Sequence, residues 1–226
     1  MTKKYLVSLC IIMSCIMLWS SSAYAFTFEM VPAEEIFSEE YIEETKVSDW
    51  AVDEINWAES YGLITPSVRN YKTHNITRYQ FAELIVNMVE IATNTTLAYE
   101  DKNVFSDCSE ECVLKAYAAG IVSGMGEGKF MPDETTNREQ IAAMIYRAIE
   151  YIEMEMEKSY VTKNNDISQF ADRASVSDWA LNSVGVLANN RIMNGTSEDT
   201  LSPKNPCTIE QSILLIYRLF TKIINQ

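Results

Sequence analysis

Two arginines, Arg78 and Arg138, stand in closely similar settings: Ile76-Thr77-Arg78-Tyr79-Gln80-Phe81-Ala82-Glu83 and Thr136-Asn137-Arg138-Glu139-Gln140-Ile141-Ala142-Ala143. Each opens a run of apolar residues at helical spacing, so each belongs to the first turn of an amphipathic helix. A cation there faces the positive end of the helix dipole, a poor place for a generic surface charge, and this favours a ligand role. A guanidinium offers a planar fork of donors that fits a carboxylate. Anion binding is therefore the first chemistry to consider.

Other candidates carry less. Gly124-Met125-Gly126-Glu127-Gly128 has the glycine density of a phosphate loop but neither a preceding strand nor a Lys-Ser/Thr ending, and reads as a turn. The single histidine, His74, lies in a polar loop with no nucleophile partner in view. The glutamates from Glu150 to Glu157 form a solvated helix face. Spacing alone leaves a glycosidase carboxylate pair open, but no substrate-cleft fold accompanies one. No catalytic residue and no cofactor is expected.

Cys108 and Cys112 flank Ser109-Glu110-Glu111, and Cys207 stands alone. A local disulfide, a partial metal site and two unpaired thiols are the alternatives for the pair. Zinc needs about four ligands, and the one histidine lies far along the chain, so no metal is expected. A disulfide within one helical turn has poor geometry unless Cys108 precedes the helix.

The elements that must position these residues recur along the chain. A helix from about Trp50 to Tyr61, with Ala51, Ile55, Ala58 and Trp57 on one side, ends at Gly62; a second begins at Asn75-Ile76-Thr77 and runs to about Ala92. The pattern returns with Val113, Ala116, Tyr117 and Ala119 before Gly120. A longer helix follows, capped by Thr136 or Asn137, with Ile141, Met144, Ile145, Ala148, Ile149, Ile152 and Met156 on its buried face. It returns again with Leu181, Val184, Leu187 and Ala188, then with Cys207-Thr208-Ile209-Glu210-Gln211, where Ile209 takes the arginine position. Aligning the helix ends at Gly62, Gly120 and Arg191 puts Trp50, Cys108 and Trp179 in register. Asp49, Asp107 and Asp178 precede them as helix caps, and Trp50 and Trp179 read as core or groove-wall residues. The stretches 93–103 and 159–168 are polar connectors. Apolar period 3.6 dominates and no strand pattern is present, so the fold is all-α. One helix pair cannot bury its own apolar face, so three copies must pack together.

The chain carries 18 basic and 32 acidic residues. That balance argues against nucleic acid, whose phosphates demand a basic face, and obliges an anionic ligand to rely on a few placed cations. The N-terminus reads as a secretory signal, residues 1–25, with Lys3 and Lys4, an apolar run from Tyr5 to Trp19, and Ala23-Tyr24-Ala25 before the cleavage point. The alternatives are an uncleaved anchor, for which the run is short, and a lipoprotein modified at Cys15. After cleavage no membrane association is expected. Residues 26–46 form an acidic lead-in.

Asp178-Trp179-Ala180, Gly120-Ile121-Val122-Ser123-Gly124, Gly128-x-Phe130-x-Pro132-Asp133 and Thr136-x-Arg138-Glu139-Gln140 together resemble the S-layer homology (SLH) domain. The resemblance spans about 47–220 and divides the chain into repeats at 47–103, 104–165 and 166–226. It implies three helix-loop-helix repeats packed as a pseudo-threefold trimer around a central three-helix bundle. The grooves between them would bind a secondary cell-wall polysaccharide, pyruvylated or otherwise anionic, and so tether an exported protein to the wall of a Gram-positive-type bacterium. The family's key cation maps to Arg78 and Arg138. The wider implied ligand set is Ser123, Gly124, Asp49, Trp50, Asp107, Trp179, Asn194 and Gly195, with backbone N–H groups at Ser123-Gly124 close to the sugar and a tryptophan able to stack on it. Ile209, Cys108 at the tryptophan position, and Thr65-Pro66 in place of Ser-Gly depart from the pattern. One or two working grooves are therefore expected, with the second repeat's foremost. Such modules usually accompany a passenger domain, for which three repeats leave no room here. The competing reading is a structural surface module that assembles with another surface protein and has lost glycan binding.

Overall fold

The computed structural model describes residues 46–70, 72–99 and 104–226, all within one compact unit that spans 42–226. The expected signal at 1–25 and nearly all of the lead-in at 26–46 lie outside the described residues. Six α-helices are present among the described residues, with isolated bridges but no strands. They are α1 (Val52–Ser60), α2 (Arg78–Thr93), α3 (Glu111–Ala118), α4 (Arg138–Glu155), α5 (Leu181–Asn189) and α6 (Ile209–Ile224). Short and long helices alternate. No described helix is long and apolar enough to cross a membrane.

The three long helices start in one way. Thr77, Asn137 and Thr208 each accept the N–H of the residue three on, and Gln80, Gln140 and Gln211 each reach back to the cap's own N–H. Such a reciprocal box satisfies two of the donors a helix start leaves bare. Of the two caps expected for α4, Asn137 serves and Thr136 does not.

The remaining donors are satisfied across the molecule. Ile76 N–H donates to the Cys207 carbonyl (2.9 Å), Cys207 N–H to Thr136 (3.0 Å) and Thr136 N–H to Ile76 (3.1 Å), a closed cycle. Two residues further on, the N–H groups of Arg78, Arg138 and Ile209 reach the carbonyls of Glu134, Asn205 and His74. The next N–H groups, at Tyr79, Glu139 and Glu210, reach Pro132, Pro203 and Lys72. An isolated loop-helix unit would leave these donors unpaired, so the units stabilise one another through backbone bonding as well as apolar burial.

Packing follows the same cyclic order. Helix α3 lies on α2, α5 on α4, and α1 returns to pack on α6, while α2 also packs on both α4 and α6. The short helices end in a left-handed residue at Gly62 (φ 72°), Gly120 (φ 71°) and Arg191 (φ 58°), which confirms that alignment of helix ends. The core is continuous and includes Phe81, Leu84, Ile85, Met88, Ile121, Phe130, Ile141, Ile145, Ile149 and Ile152.

Several expectations are corrected. Helix α4 ends at Glu155, and Met156 is exposed beyond it; Trp57, Tyr117 and Leu181 also face outward. The polar-looking connector 159–168 contributes Tyr160, Val161 and Ile167 to the core, held there because the Glu153 carboxylate accepts the Tyr160 N–H (2.8 Å). Cys108, Cys112 and Cys207 are free thiols, and burial pushes Cys112 up to about 12. None of the short helices has a side-chain cap, so Asp49, Asp107 and Asp178 are not caps.

The register that places Asp107 opposite Asp178 does not hold. Its carboxylate accepts the N–H groups of Phe130 (2.8 Å) and Met131 (2.9 Å), as Asp172 accepts those of Leu201 (2.9 Å) and Ser202 (2.7 Å). Asp107 is thus the counterpart of Asp172. The second unit lacks the chain that carries Asp178 and Trp179 in the third. Cys108 therefore does not replace a tryptophan, because the tryptophan-bearing turn is missing.

Candidate functional site

Arg78 and Arg138 occupy the first position of α2 and α4, and each side chain is buried against the neighbouring unit's loop. Arg78 Nε donates to the Phe130 carbonyl (2.8 Å) and Nη2 to Ser123 (2.9 Å). Arg138 Nε donates to Leu201 (2.8 Å) and Nη2 to Asn194 (2.7 Å). In both, Nη1 has no acceptor among the described residues. Burial pulls both guanidinium pKa values below the ordinary one, and at Arg138 the like charge of Arg218 adds to this. Both stay protonated at any physiological pH. The Arg78 guanidinium also sits 4.5 Å above the Phe130 ring, where Arg138 has Leu201 instead.

Each arginine forms the floor of a groove. One, of about 260 Å³, is lined by Arg78, Ser123, Met125, Gln140, Ala143, Met144, Arg147 and Trp179. The other, of about 450 Å³, is lined by Trp50, Arg138, Asn194, Gly195, Thr196, Gln211, Leu214, Leu215 and Arg218. Position by position the two sets correspond. Arg78 matches Arg138, Gln140 matches Gln211, Arg147 matches Arg218, and Trp179 matches Trp50.

The tryptophans are more than half exposed, and their backbone is fixed two residues upstream. Ser177 donates through its N–H (3.0 Å) and hydroxyl (3.0 Å) to the Glu139 carboxylate, which also meets Lys204 Nζ at 2.5 Å. Ser48 does the same to Glu210 (3.1 and 2.8 Å). Glu139 is almost wholly buried, so it does more than face the helix dipole: it anchors the turn that presents Trp179.

The sequence-expected residues thus fall into two groups. Arg78, Ser123 and Trp179 share one groove, while Arg138, Asn194, Gly195 and Trp50 share the other. Ser123 and Gly124 do not belong with Arg138, so a single second-repeat groove containing all three does not exist. Ser123 faces Arg78 through its carbonyl, and Gly124, where any Cβ would crowd the Lys129 carbonyl and the Phe105 ring, is not part of the groove lining. Asp49 is exposed beside Lys46 (3.4 Å), outside both grooves. Asp107 lines a separate cleft with Tyr79, Cys108 and Asp133, where the second unit lacks the tryptophan-bearing turn.

The third equivalent position is built differently. Ile209 is buried where the arginine would be. Gln80 Nε2 is taken by the Ser67 carbonyl (3.0 Å), Glu83 accepts the Ser67 hydroxyl, and Asn87 Nδ2 donates to the Gly62 carbonyl (2.9 Å). The turn Pro66–Val68 packs against α2 there.

Gln140, Gln211, Arg147, Arg218, Glu139 and Glu210 belong to the sites beyond the residues expected from the sequence. The repeated Tyr146-Arg147 and Tyr217-Arg218 pairs were a usable signal, since each arginine lies on the groove face of its long helix. Among the described residues no cluster of three or more His, Cys, Asp and Glu could hold a metal ion.

Residues 109–142 and 169–208 match the S-layer homology domain. They run from α3 into α4, and across α5 to the start of α6, and so include Arg138, Trp179, Asn194 and Gly195. Among relatives, an endoglucanase of Bacillus sp. (strain KSM-635) is 30% identical over 152 residues, which is 67% of this chain and 15% of that enzyme. An exoglucanase XynX of Acetivibrio thermocellus is 29% identical over 181 residues, 77% of this chain and 16% of the relative. A surface layer protein of Brevibacillus choshinensis is 27% identical over 109 residues, 48% of this chain and 9% of the relative. The chain thus spans about a sixth or less of the length of these relatives. The S-layer homology matches and the surface-layer relative support a cell-wall role in general terms.

Proposed function

We propose that residues 47–103, 104–165 and 166–226 are three S-layer homology repeats, packed as a pseudo-threefold trimer about α2, α4 and α6. The module anchors its protein non-covalently to the bacterial cell wall. Its ligand is an anionic secondary cell-wall polysaccharide, pyruvylated or bearing another carboxylate, held in the two tryptophan grooves at the cell surface. The protein is exported by its N-terminal signal, and the module performs no catalysis.

One observation carries this reading. Each groove joins a buried arginine with one uncommitted Nη1 edge, a glutamine whose Nε2 has no acceptor among the described residues, and an exposed tryptophan. A guanidinium edge fits a sugar carboxylate, the amide serves hydroxyls, and the indole face suits a sugar ring. Backbone carbonyls fix the guanidinium beforehand, so little ordering cost remains on binding. The first repeat, outside the family match, shares the capping box, the cyclic backbone bonds and the left-handed helix end.

Sedimentation with cell walls tests the proposal. The chain from Phe26 should pellet with native walls and remain in solution with walls stripped of secondary polysaccharide. Arg147→Ala removes a cation that holds no structural bond among the described residues and should weaken pelleting by about ten- to a hundredfold, the worth of one charge-assisted contact. Equal behaviour on both wall preparations sinks the glycan reading. It would favour a module that assembles with another surface protein, the reading to which the closed Ile209 position points.

A further inference from the structure

Each groove is lined by a second arginine, Arg218 in one and Arg147 in the other, and the two differ in their partners. In the Trp50 groove, Arg218 Nε and Nη2 donate to the two oxygens of Glu54 at 2.9 and 2.7 Å, a bidentate pair that is three-quarters buried on both sides. In the Trp179 groove, the matching Arg147 is half-buried and has no hydrogen-bond or ion-pair partner among the described residues. The residue at the Glu54 position there is Ser183. It is buried and donates its hydroxyl to the Ala180 carbonyl (3.2 Å), so it offers Arg147 no charge.

We propose that Glu54 is an internal carboxylate that occupies the fork of Arg218, and that it sets different charge specificities for the two grooves. This rests on the groove-binding reading above. The Trp179 groove presents two cations, Arg78 and Arg147, neither bonded to a carboxylate among the described residues, and selects a sugar unit bearing a carboxylate. The Trp50 groove presents only the free edge of Arg138, with Glu54 neutralising Arg218. A ligand carboxylate must displace Glu54 or approach beside it, so this groove accepts neutral sugar units nearly as well as charged ones. Like charge close to a bound carboxylate is unfavourable, and a fork already filled bidentately has lost its best binding geometry. Glu54 is thus a specificity-determining residue that belongs to the first helix of the chain, far in sequence from either arginine of its groove.

Because each groove holds its own tryptophan, the two can be read separately. The full chain from Phe26 is labelled with 5-fluorotryptophan, and its resonances are assigned with Trp50→Phe, Trp57→Phe and Trp179→Phe. It is then titrated with oligosaccharide fragments of the wall polysaccharide, either native or with their carboxylates reduced to alcohols. The Trp179 signal should respond to native fragments at about tenfold lower concentration than the Trp50 signal, and carboxylate reduction should abolish that difference. Glu54→Gln keeps the shape of the side chain and removes its charge. It should bring the Trp50 response to native fragments into the Trp179 range and leave Trp179 unmoved. Arg147→Gln should do the converse, lowering the Trp179 response to that of wild-type Trp50. Equal titration of both signals in wild type overturns the proposal, as does a Glu54→Gln protein with native circular dichroism whose Trp50 response is unchanged. If neither signal responds to any fragment, the groove-binding reading itself fails, an outcome distinct from two grooves that bind alike.

Discussion

The Trp179 and Trp50 grooves share a buried arginine, a glutamine, a second arginine and a tryptophan, yet differ in their electrostatics because of one residue on α1. The same geometry at the third position is closed by side chains of its own loop, with Ile209 below and Gln80 and Glu83 committed to Ser67. Threefold repetition of the backbone therefore does not carry threefold repetition of the site. The hydrogen bonds around the cycle are main-chain bonds and survive sequence divergence. The grooves depend on side chains, where a single change suffices to fill or neutralise one.

The buried arginines should show the largest effects. Arg78→Ala leaves the Phe130 and Ser123 carbonyls without their donor, and Arg138→Ala does so to Leu201 and Asn194. Each should lower unfolding stability by about 3 kcal/mol, with Arg78 somewhat costlier because it also loses its place over Phe130. Urea denaturation measures this; equal losses would show that the place over Phe130 adds nothing, and negligible losses that the guanidinium groups serve only ligands. Arg→Ala at either position is thus a poor test of binding, which is why Arg147 serves better.

Glu139→Ala comes next. It frees the Ser177 turn and strands the Lys204 partner, and should cost about 2 kcal/mol. It should also weaken the Trp179 groove while sparing the Trp50 groove, whose turn is held by Glu210. If the Trp50 fluorine signal broadens as much as that of Trp179, the two turns are not independently anchored.

A third effect disappears in acid. The N–H of Phe130 holds the Asp107 carboxyl below its ordinary pKa, opposed by desolvation and reinforced by the Met131 N–H. A carboxyl with a depressed folded pKa contributes stability above its unfolded value and loses it as pH falls through the folded one. Asp107→Asn should therefore be less stable than wild type at pH 6, and the gap should close below about pH 4. Denaturation midpoints across pH 6 to 2 decide it; a constant gap would mean that shape, not charge, holds the loop.

The smallest effect concerns the helix ends. Arg191 adopts φ 58° where the other short helices place Gly62 and Gly120. Arg191→Gly should raise stability by about 0.5 kcal/mol, the relief of left-handed strain less the added freedom of the unfolded chain. A loss instead would mean that the Arg191 side chain contributes packing that offsets its strain.

The sequence by itself determined the helices, their capping boxes and the recurrence of the loop-helix block. These depend on local chemistry: apolar spacing, Thr or Asn followed by Gln, and glycine at a helix end. It also marked Arg78, Arg138 and the two tryptophans, because a cation at a helix start and a repeated Asp-Trp-Ala are visible in one dimension. Only the tertiary structure decided which of these residues meet. Ser123 and Arg138, close together in the chain, belong to different grooves, because each arginine reaches across to the next unit's loop. Asp107 could not be paired with Asp172 by counting back from the helix end, since the missing turn shifts the register and only the bonds to Phe130 and Met131 reveal it. Glu54 could not be connected with Arg218 at all from the sequence. Closure of the cycle, α1 against α6, joins the two ends of the described chain, and such long-range pairing is set by packing and not by local propensity.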